Sequence, residues 1–289
     1  MRARTNRRIG CGLCIVSTIL IGLAGCTKSD DAASKKDQAK ADVQIEVKKD
    51  NQGKAIHAHP VGLAKGVRLP AFKDAVILDE PPEGELQPPN VTHTGKNAIK
   101  IFESIATDLW DKVNFTNDDG RPIQYRAIIA TELGDIHVQL HGDAAPNHVR
   151  SFVCLAKSGY YDGMAFYRSL NANVEDNRVA FIEAGCPRGT GELGSGSIGY
   201  WLRPEIGPKL THEEGVLGAC LNGDANSAAC RFYLTAAAMP QMDGTFTIFG
   251  KVTQGLDVVR TINKREVLEN DRLMKPVLIK SVTIQSSDQ

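Results

Sequence analysis

The sequence has no excess of either charge, since 34 lysine and arginine residues balance 34 aspartate and glutamate residues over 289 positions. It has no basic stripe with interleaved aromatic residues, so no nucleic-acid partner is expected. It also lacks any C-x-x-C spacing, which argues against a cysteine-bound zinc site. One H-x-H pair, His57 and His59, could hold a metal ion or lie in a loop, and we favour the loop.

The sequence also has no apolar run at its N-terminus long enough for a spanning helix. The run from Ile9 to Ala24 is shorter than the ~20 residues that a span needs, and glycines interrupt it. Four arginines precede the run, and it ends in Leu23-Ala24-Gly25-Cys26, which resembles a bacterial lipobox. We therefore expect residues 1–25 to be a lipoprotein signal peptide and Cys26 to carry the lipid. The alternative is a short membrane-spanning helix.

These expectations make the protein an exported lipoprotein, anchored in a membrane on the periplasmic or cell-surface side. Of the seven cysteines, Cys154, Cys186, Cys220 and Cys230 remain beyond the lipid site. An exported protein can form disulfides. Cys220 and Cys230 bracket one loop and are the favoured pair, with four buried thiols as the alternative.

The composition divides the chain into a tether, an extension and a domain. Residues 26–54 are polar and are predicted to form a flexible tether. Residues 55–120 form an N-terminal extension with an amphipathic helix near 96–113. The apolar face of this helix is Ile99, Phe102, Ile105, Leu109 and Val113. This helix either packs on the domain at 121–289 or binds a partner.

The domain from residue 121 onward shows many short strands and two short helices. Ile136, Val138 and Leu140 alternate with polar residues, as in a half-buried strand. Asp143 is a candidate N-cap for a first helix that ends at Ser158-Gly159. A second helix is predicted from Gly255 to Lys264 and a closing strand from 275 to 285. Such a pattern favours a closed barrel, which leaves no exposed sheet edge.

The order of glycine and aromatic motifs between residues 123 and 286 resembles that of the cyclophilins, the peptidyl-prolyl cis-trans isomerases. The motifs are Gly134-Asp135-Ile136, Ala145-Pro146, Tyr160-Tyr161-Asp162-Gly163, Phe166-Tyr167-Arg168, Glu183-Ala184-Gly185, His212 with Gly215, Phe232-Tyr233-Leu234 and Asp243-Gly244. Each motif alone is weak, but the shared order is specific. The resemblance implies a mainly β fold, a closed eight-stranded antiparallel barrel capped by two helices.

Prolyl isomerisation sets simple chemical requirements. Rotation about the amide faces a barrier of ~18–20 kcal/mol, but no covalent bond is made or broken. Neither a nucleophile, a metal nor another cofactor is needed. An enzyme must hold the proline ring in an apolar pocket and offer donors to the twisted amide. A guanidinium suits this role because it stays charged and has five rigid donors.

The resemblance assigns the site residue by residue. Arg168 matches the family's essential arginine and is the expected catalytic residue. The expected substrate-binding residues are Phe181, Glu183, Arg231, Phe232, Tyr233 and Met242. Ungapped counting back from Gly185 puts Ala180 at the family's phenylalanine position, and a shift of one residue puts Phe181 there. Glu183 and Arg231 stand where the family has glutamines, Gln241 where it has tryptophan, and Phe246 where it has histidine. A lone buried carboxylate is costly, so we expect Glu183 to pair with Arg168 or Arg231 and preserve a polar network. The alternative is that Glu183 neutralises Arg168 and weakens its donation to substrate.

Two functions follow from this site. The first is a membrane-tethered isomerase that acts on proline-containing polypeptide clients. The alternative is a catalytically weak or inactive cyclophilin-like module that binds proline-containing segments or a partner protein, favoured by the altered pocket positions.

Overall fold

The computed structural model describes residues 69–78, 80–174, 177–207 and 210–288. The expected signal peptide, Cys26, the tether, and His57 and His59 lie outside the described residues. No helix among those described is both long and apolar enough to cross a membrane.

Eight antiparallel strands close into a barrel, as the sequence predicted. The described residues form ten strands in all, which in chain order are β1 (Val76–Ile77), β2 (Ile123–Thr131), β3 (Gly134–Leu140), β4 (Ala165–Val174), β5 (Asn177–Ala184), β6 (Trp201–Leu202), β7 (Val216–Ala219), β8 (Phe232–Thr235), β9 (Ile248–Gln254) and β10 (Arg272–Asp288). The barrel order is β10-β2-β3-β9-β7-β8-β5-β4, and β1 pairs with β6 in a separate small sheet. The last strand, β10, closes the barrel because it pairs with both β2 and β4.

The alternation of apolar residues builds the barrel interior. Ile136, Val138 and Leu140 on β3 are all buried, while the residues between them are partly exposed. The neighbouring strand β2 has the same pattern, with Ala127 and Ile129 buried. Since successive side chains point to opposite faces of a strand, one face of each of these strands fills the core.

In the described part of the chain, four α-helices accompany the barrel: α1 (Pro70–Ala75), α2 (Ala98–Ser104), α3 (Pro146–Lys157) and α4 (Leu256–Asn263). The predicted N-cap of α3 was wrong. The helix begins at Pro146, and the N-cap position is occupied by Ala145, whose side chain accepts no hydrogen bond. Instead the Glu205 carboxylate accepts from the N–H groups of Asn147 and His148, at 3.1 and 2.9 Å. Glu205, which is distant in sequence, therefore caps the N-terminus of α3 in place of the predicted Asp143.

The N-terminal extension shares the hydrophobic core of the barrel. After α2 the chain continues as a π-turn, Ile105–Leu109, and a 3-10 turn, Trp110–Lys112. Phe72 of α1 packs edge-on against Phe102, Trp110 and Tyr200, with ring centroids 5.1–5.9 Å apart. Tyr200 belongs to the barrel region, and its hydroxyl bonds to Ser151 of α3 at 2.8 Å. The apolar face of the helix is thus covered by the barrel region.

All four described cysteines are free thiols. Cys220 lies in a small apolar cluster beside the β4–β5 hairpin, whereas Cys230 lies in the main core. The favoured Cys220–Cys230 disulfide is therefore not formed, and the alternative of four buried thiols holds. Burial raises the pKa of Cys230 to about 12, so the thiol stays protonated at neutral pH.

Candidate active site

Three neighbouring strands place the candidate residues side by side. Antiparallel pairing sets Arg168 of β4 opposite Glu183 of β5, and Glu183 opposite Tyr233 of β8. Phe181 lies on the same face as Glu183, because it is two residues away on the same strand. The barrel thus gathers residues from separate parts of the sequence on one patch.

An apolar cluster, separate from the main core, lies beside Arg168. Its buried members are Leu170, Phe181, Cys220, Tyr233, Met239 and Met242. The Phe181 and Tyr233 rings lie 5.9 Å apart, and the Arg168 guanidinium carbon is 5.9 Å from the centroid of the Phe181 ring. That separation is within the range of a cation–π contact. A charged donor and an apolar surface, the two requirements of prolyl isomerisation, therefore lie together.

Glu183 links two buried arginines. Its Oε1 accepts from Arg231 Nε at 2.7 Å, and its Oε2 accepts from Arg168 Nη1 at 3.4 Å. The Tyr167 hydroxyl also donates to Oε1. The expected pairing is confirmed, and Arg231 is the closer partner. Burial alone would lower the pKa of Arg231, but the adjacent carboxylate of Glu183 holds that pKa well above its usual value.

A second carboxylate approaches Arg168 from the opposite side. Asp271 Oδ2 lies 3.5 Å from Arg168 Nη2. Asp271 adopts a left-handed φ of 61°, a conformation that aspartate tolerates better than most residues. Its carbonyl accepts from the Ser169 N–H at 2.9 Å, which ties the turn to β4. Both ion-pair distances, 3.4 Å to Glu183 and 3.5 Å to Asp271, exceed the ~2.7–2.9 Å of the tightest charge-assisted bonds.

Tyr233 forms the end of a second polar chain. Its hydroxyl lies 2.8 Å from His212 Nε2, and His212 Nδ1 lies 2.8 Å from Asp243 Oδ1. Burial lowers the pKa of His212, and Asp243 only partly offsets this effect. Burial raises the pKa of Asp243, but bonds from His212 outweigh it and leave that pKa below its usual value. The neutral imidazole therefore orients the Tyr233 ring against Phe181.

The geometry and the order of motifs agree with one family. Residues 126–284, more than half of the chain, match the family model "Cyclophilin type peptidyl-prolyl cis-trans isomerase/CLD". The chain belongs to the cyclophilins. Its activity is therefore peptidyl-prolyl cis-trans isomerisation.

Individual relatives show how far the likeness extends. The chain is 36% identical over 146 residues to peptidyl-prolyl cis-trans isomerase-like 1 of Rhizopus delemar, covering 50% of this chain and 84% of that protein. It is 32% identical over 157 residues to peptidyl-prolyl cis-trans isomerase CYP18-1 of Arabidopsis thaliana, covering 54% and 94%. A crystal structure of a cyclophilin type isomerase of Cryptosporidium parvum superposes with a TM-score of 0.50 at 26% identity, covering 57% and 99%.

In this cyclophilin, one predicted site residue lies elsewhere. Phe232 packs in the main core against Phe152, Tyr161 and Phe166, with ring centroids 5.4–6.0 Å apart. The reason is strand alternation, which puts Phe232 and its neighbour Tyr233 on opposite faces of β8. The structure brings together the other predicted members, Arg168, Phe181, Glu183, Arg231, Tyr233 and Met242.

Three residues of the site were missed from the sequence. Tyr167 and Asp271 contact the Glu183–Arg168 pair, and Asn222 Oδ1 accepts from Arg231 Nη1 at 2.8 Å. Tyr167 is adjacent to Arg168 in the sequence, but nothing there shows that its hydroxyl reaches Glu183. Asn222 and Asp271 lie in loops, and only the folded chain brings them to the site.

The site of this cyclophilin is shielded from solvent. Arg168 is 5% exposed, Glu183 is 1% exposed and Tyr233 is fully buried. The apolar residue Phe246, which stands where the family has histidine, is partly buried against the same cluster. The guanidinium and the apolar cluster are therefore largely covered by neighbouring side chains.

Proposed function

We propose that this cyclophilin isomerises X-Pro bonds of exported polypeptides while a lipidated Cys26 tethers it to a membrane. The observation that carries the site assignment is the position of Arg168, whose guanidinium lies over the ring of Phe181, a member of the apolar cluster that also holds Tyr233 and Met242. The tether rests on the Leu23-Ala24-Gly25-Cys26 motif and the arginines before it.

The apolar cluster binds the proline ring and removes it from water. Phe181 and Met242 offer apolar surface, and the Tyr233 ring is fixed by its bond to His212. Each methylene group of the proline ring that is buried at this cluster contributes about 0.8 kcal/mol to binding. Binding at this cluster sets the amide beside Arg168.

Arg168 acts on the twisted amide as a hydrogen-bond donor. In the transition state the prolyl nitrogen loses its resonance and becomes pyramidal, so it accepts a bond that the planar amide cannot. Such a charge-assisted bond contributes about 1.5–3 kcal/mol. A 10⁵-fold acceleration requires about 7 kcal/mol, so desolvation and orientation by the apolar cluster must supply the rest.

The experiment is a measurement of cis/trans exchange of an X-Pro peptide by NMR, with and without the purified protein. Wild type should accelerate exchange, and Arg168→Ala should lower kcat/KM by roughly 10- to 100-fold, the effect of losing one charge-assisted bond. Arg126→Ala, an exposed arginine on β2, is the matched control and should leave the rate unchanged.

The second candidate is a cyclophilin domain that binds proline-containing segments and turns them over slowly. It is favoured by the burial of Arg168 and by the two carboxylates beside its guanidinium, which compete with substrate for its donors. Binding of the peptide together with exchange at the uncatalysed rate would decide for this candidate.

A further inference from the structure

The extension places one buried acid next to the polar network of the site. Glu85 lies outside the part of the chain that matches the family model, and it is only 8% exposed. Its carboxylate accepts from Trp201 Nε1 at 2.8 Å and from the side-chain amide of Asn222. A buried carboxylate requires such donors, and both come from the barrel region.

Backbone contacts fix Glu85 in this position. The N–H of Leu86 donates to the carbonyl of Gly194 at 2.8 Å, and Arg188 donates to the carbonyl of Gln87 at 2.8 Å. Gly194 has a φ of 76°, and a Cβ at that position would lie 2.2 Å from the carbonyl oxygen of Gly84. The close approach of the two backbones therefore holds the extension against the loop.

Asn222 lies between Glu85 and Arg231 and forms a hydrogen bond with each of them. A carboxylate can only accept and a guanidinium can only donate, so the amide of Asn222 has one orientation that satisfies both neighbours. Its Nδ2 faces Glu85, and its Oδ1 accepts from Arg231 Nη1 at 2.8 Å. Arg231 in turn binds Glu183 at 2.5 Å through Nη2 and at 2.7 Å through Nε.

We propose that Glu85 is a positioning residue for the isomerase reaction, acting through Asn222, Arg231 and Glu183 on Arg168. Hydrogen-bond donors and acceptors alternate along this series of contacts, so each group orients the next. Without the Glu85 carboxylate, the Asn222 amide can rotate and Arg231 loses a fixed acceptor. Glu183 then turns toward Arg168 and competes more strongly with the substrate for its donors.

The test compares Glu85→Gln with Glu83→Gln, an exposed acid two residues away on the same segment. Glutamine retains an acceptor for Trp201 but removes the charge. Glu85→Gln should lower kcat about threefold to tenfold with KM unchanged, while Glu83→Gln should match wild type. In the Asn222→Ala background, Glu85→Gln should cause no further loss, because the connection is already broken.

A spectroscopic measurement keeps the proposal testable if turnover is slow. The Nε–Hε signal of Arg168 in ¹⁵N NMR, assigned by its loss in Arg168→Lys, should shift in Glu85→Gln and not in Glu83→Gln. The proposal rests on the proposed function of the same site. A wild-type protein without isomerase activity would refute that function, and the NMR signal of Arg168 would then still show whether Glu85 influences Arg168. An unmoved signal, an unchanged kcat in an active enzyme, or multiplicative losses in the double variant would overturn it.

Discussion

Arg168 lies between Glu183 and the partly exposed Asp271, and Glu183 also binds Arg231, so the site is a row of charges of alternating sign, three of them buried. Glutamines occupy the positions of Glu183 and Arg231 in the family that the sequence resembles. Removal of one member of a buried ion pair costs about 3–5 kcal/mol, whereas replacing both can be neutral. The charged couple therefore substitutes for a neutral pair while Arg168 keeps its place.

This pairing predicts strong coupling between two substitutions. Glu183→Gln and Arg231→Gln should each lower the free energy of unfolding by about 3 kcal/mol or more, and the double variant should lose much less than the sum. Urea denaturation of the four proteins measures the coupling. The exposed pair Glu214 and Arg260 is the control, and its coupling should stay within about 1 kcal/mol. Additive losses at Glu183 and Arg231 would contradict a direct pair.

His212 predicts a pH dependence of stability. Burial lowers its pKa in the folded protein, so protons bind more tightly to the unfolded chain. This stabilisation is fully present above the unfolded pKa of about 6.5 and is lost as pH falls toward the lower pKa of the folded state. Urea unfolding between pH 5 and pH 8, a range set by those values, should show a declining free energy of unfolding on the acidic side.

The matching substitution is His212→Gln, which should flatten that decline. The exposed His93 is the control position, and His93→Gln should leave the decline as in wild type. Some slope should remain in His212→Gln, because burial also lowers the pKa of His141. An unchanged pH profile in His212→Gln would remove His212 as its cause.

The helical part of the extension predicts a single cooperative unit. Trp110 is fully buried between Phe72 and Tyr200, so Trp110→Ala should lower the free energy of unfolding by about 3–5 kcal/mol. Thr107→Ala, at an exposed position in the preceding turn Ile105–Leu109, should stay within about 0.5 kcal/mol of wild type. Since the extension shares the barrel core, unfolding should remain one transition by circular dichroism and by tryptophan fluorescence. Two separated transitions would contradict the shared core.

Elements with local signals could be predicted from the sequence. The alternation on β3 and the apolar face of α3 are properties of short windows, and both elements form as expected. The closing strand was predicted over 275–285 and spans Arg272–Asp288, and the helix after Gly255 runs from Leu256 to Asn263. The closed barrel followed from these elements and the order of motifs.

Features that depend on distant partners could not be predicted. The cap of α3 by Glu205, the turn that brings Asp271 to Arg168, and the contact of Glu85 with Asn222 join residues that no local pattern connects. The placement of Phe232 was a different error, because strand alternation was already enough to separate it from Tyr233. The candidate site residues that belong to sequence motifs could thus be predicted. The residues that contact them from distant parts of the chain could not.

The proposed attachment to a membrane predicts where the protein is found in the cell. Two acyl chains on Cys26 anchor a protein stably, since each buried methylene contributes about 0.8 kcal/mol. Wild type should fractionate with membranes and incorporate a labelled fatty acid. Cys26→Ser should lose the label, while Cys14→Ser, in the expected signal peptide, should behave like wild type. Peptide exchange by both variants should remain, because Cys26 is far from Arg168 in the sequence and the described site uses no residue before Glu85. A Cys26→Ser protein that stays in membranes at its processed length would contradict the lipid anchor. A wild-type protein that is uncleaved and carries no label would favour the short spanning helix.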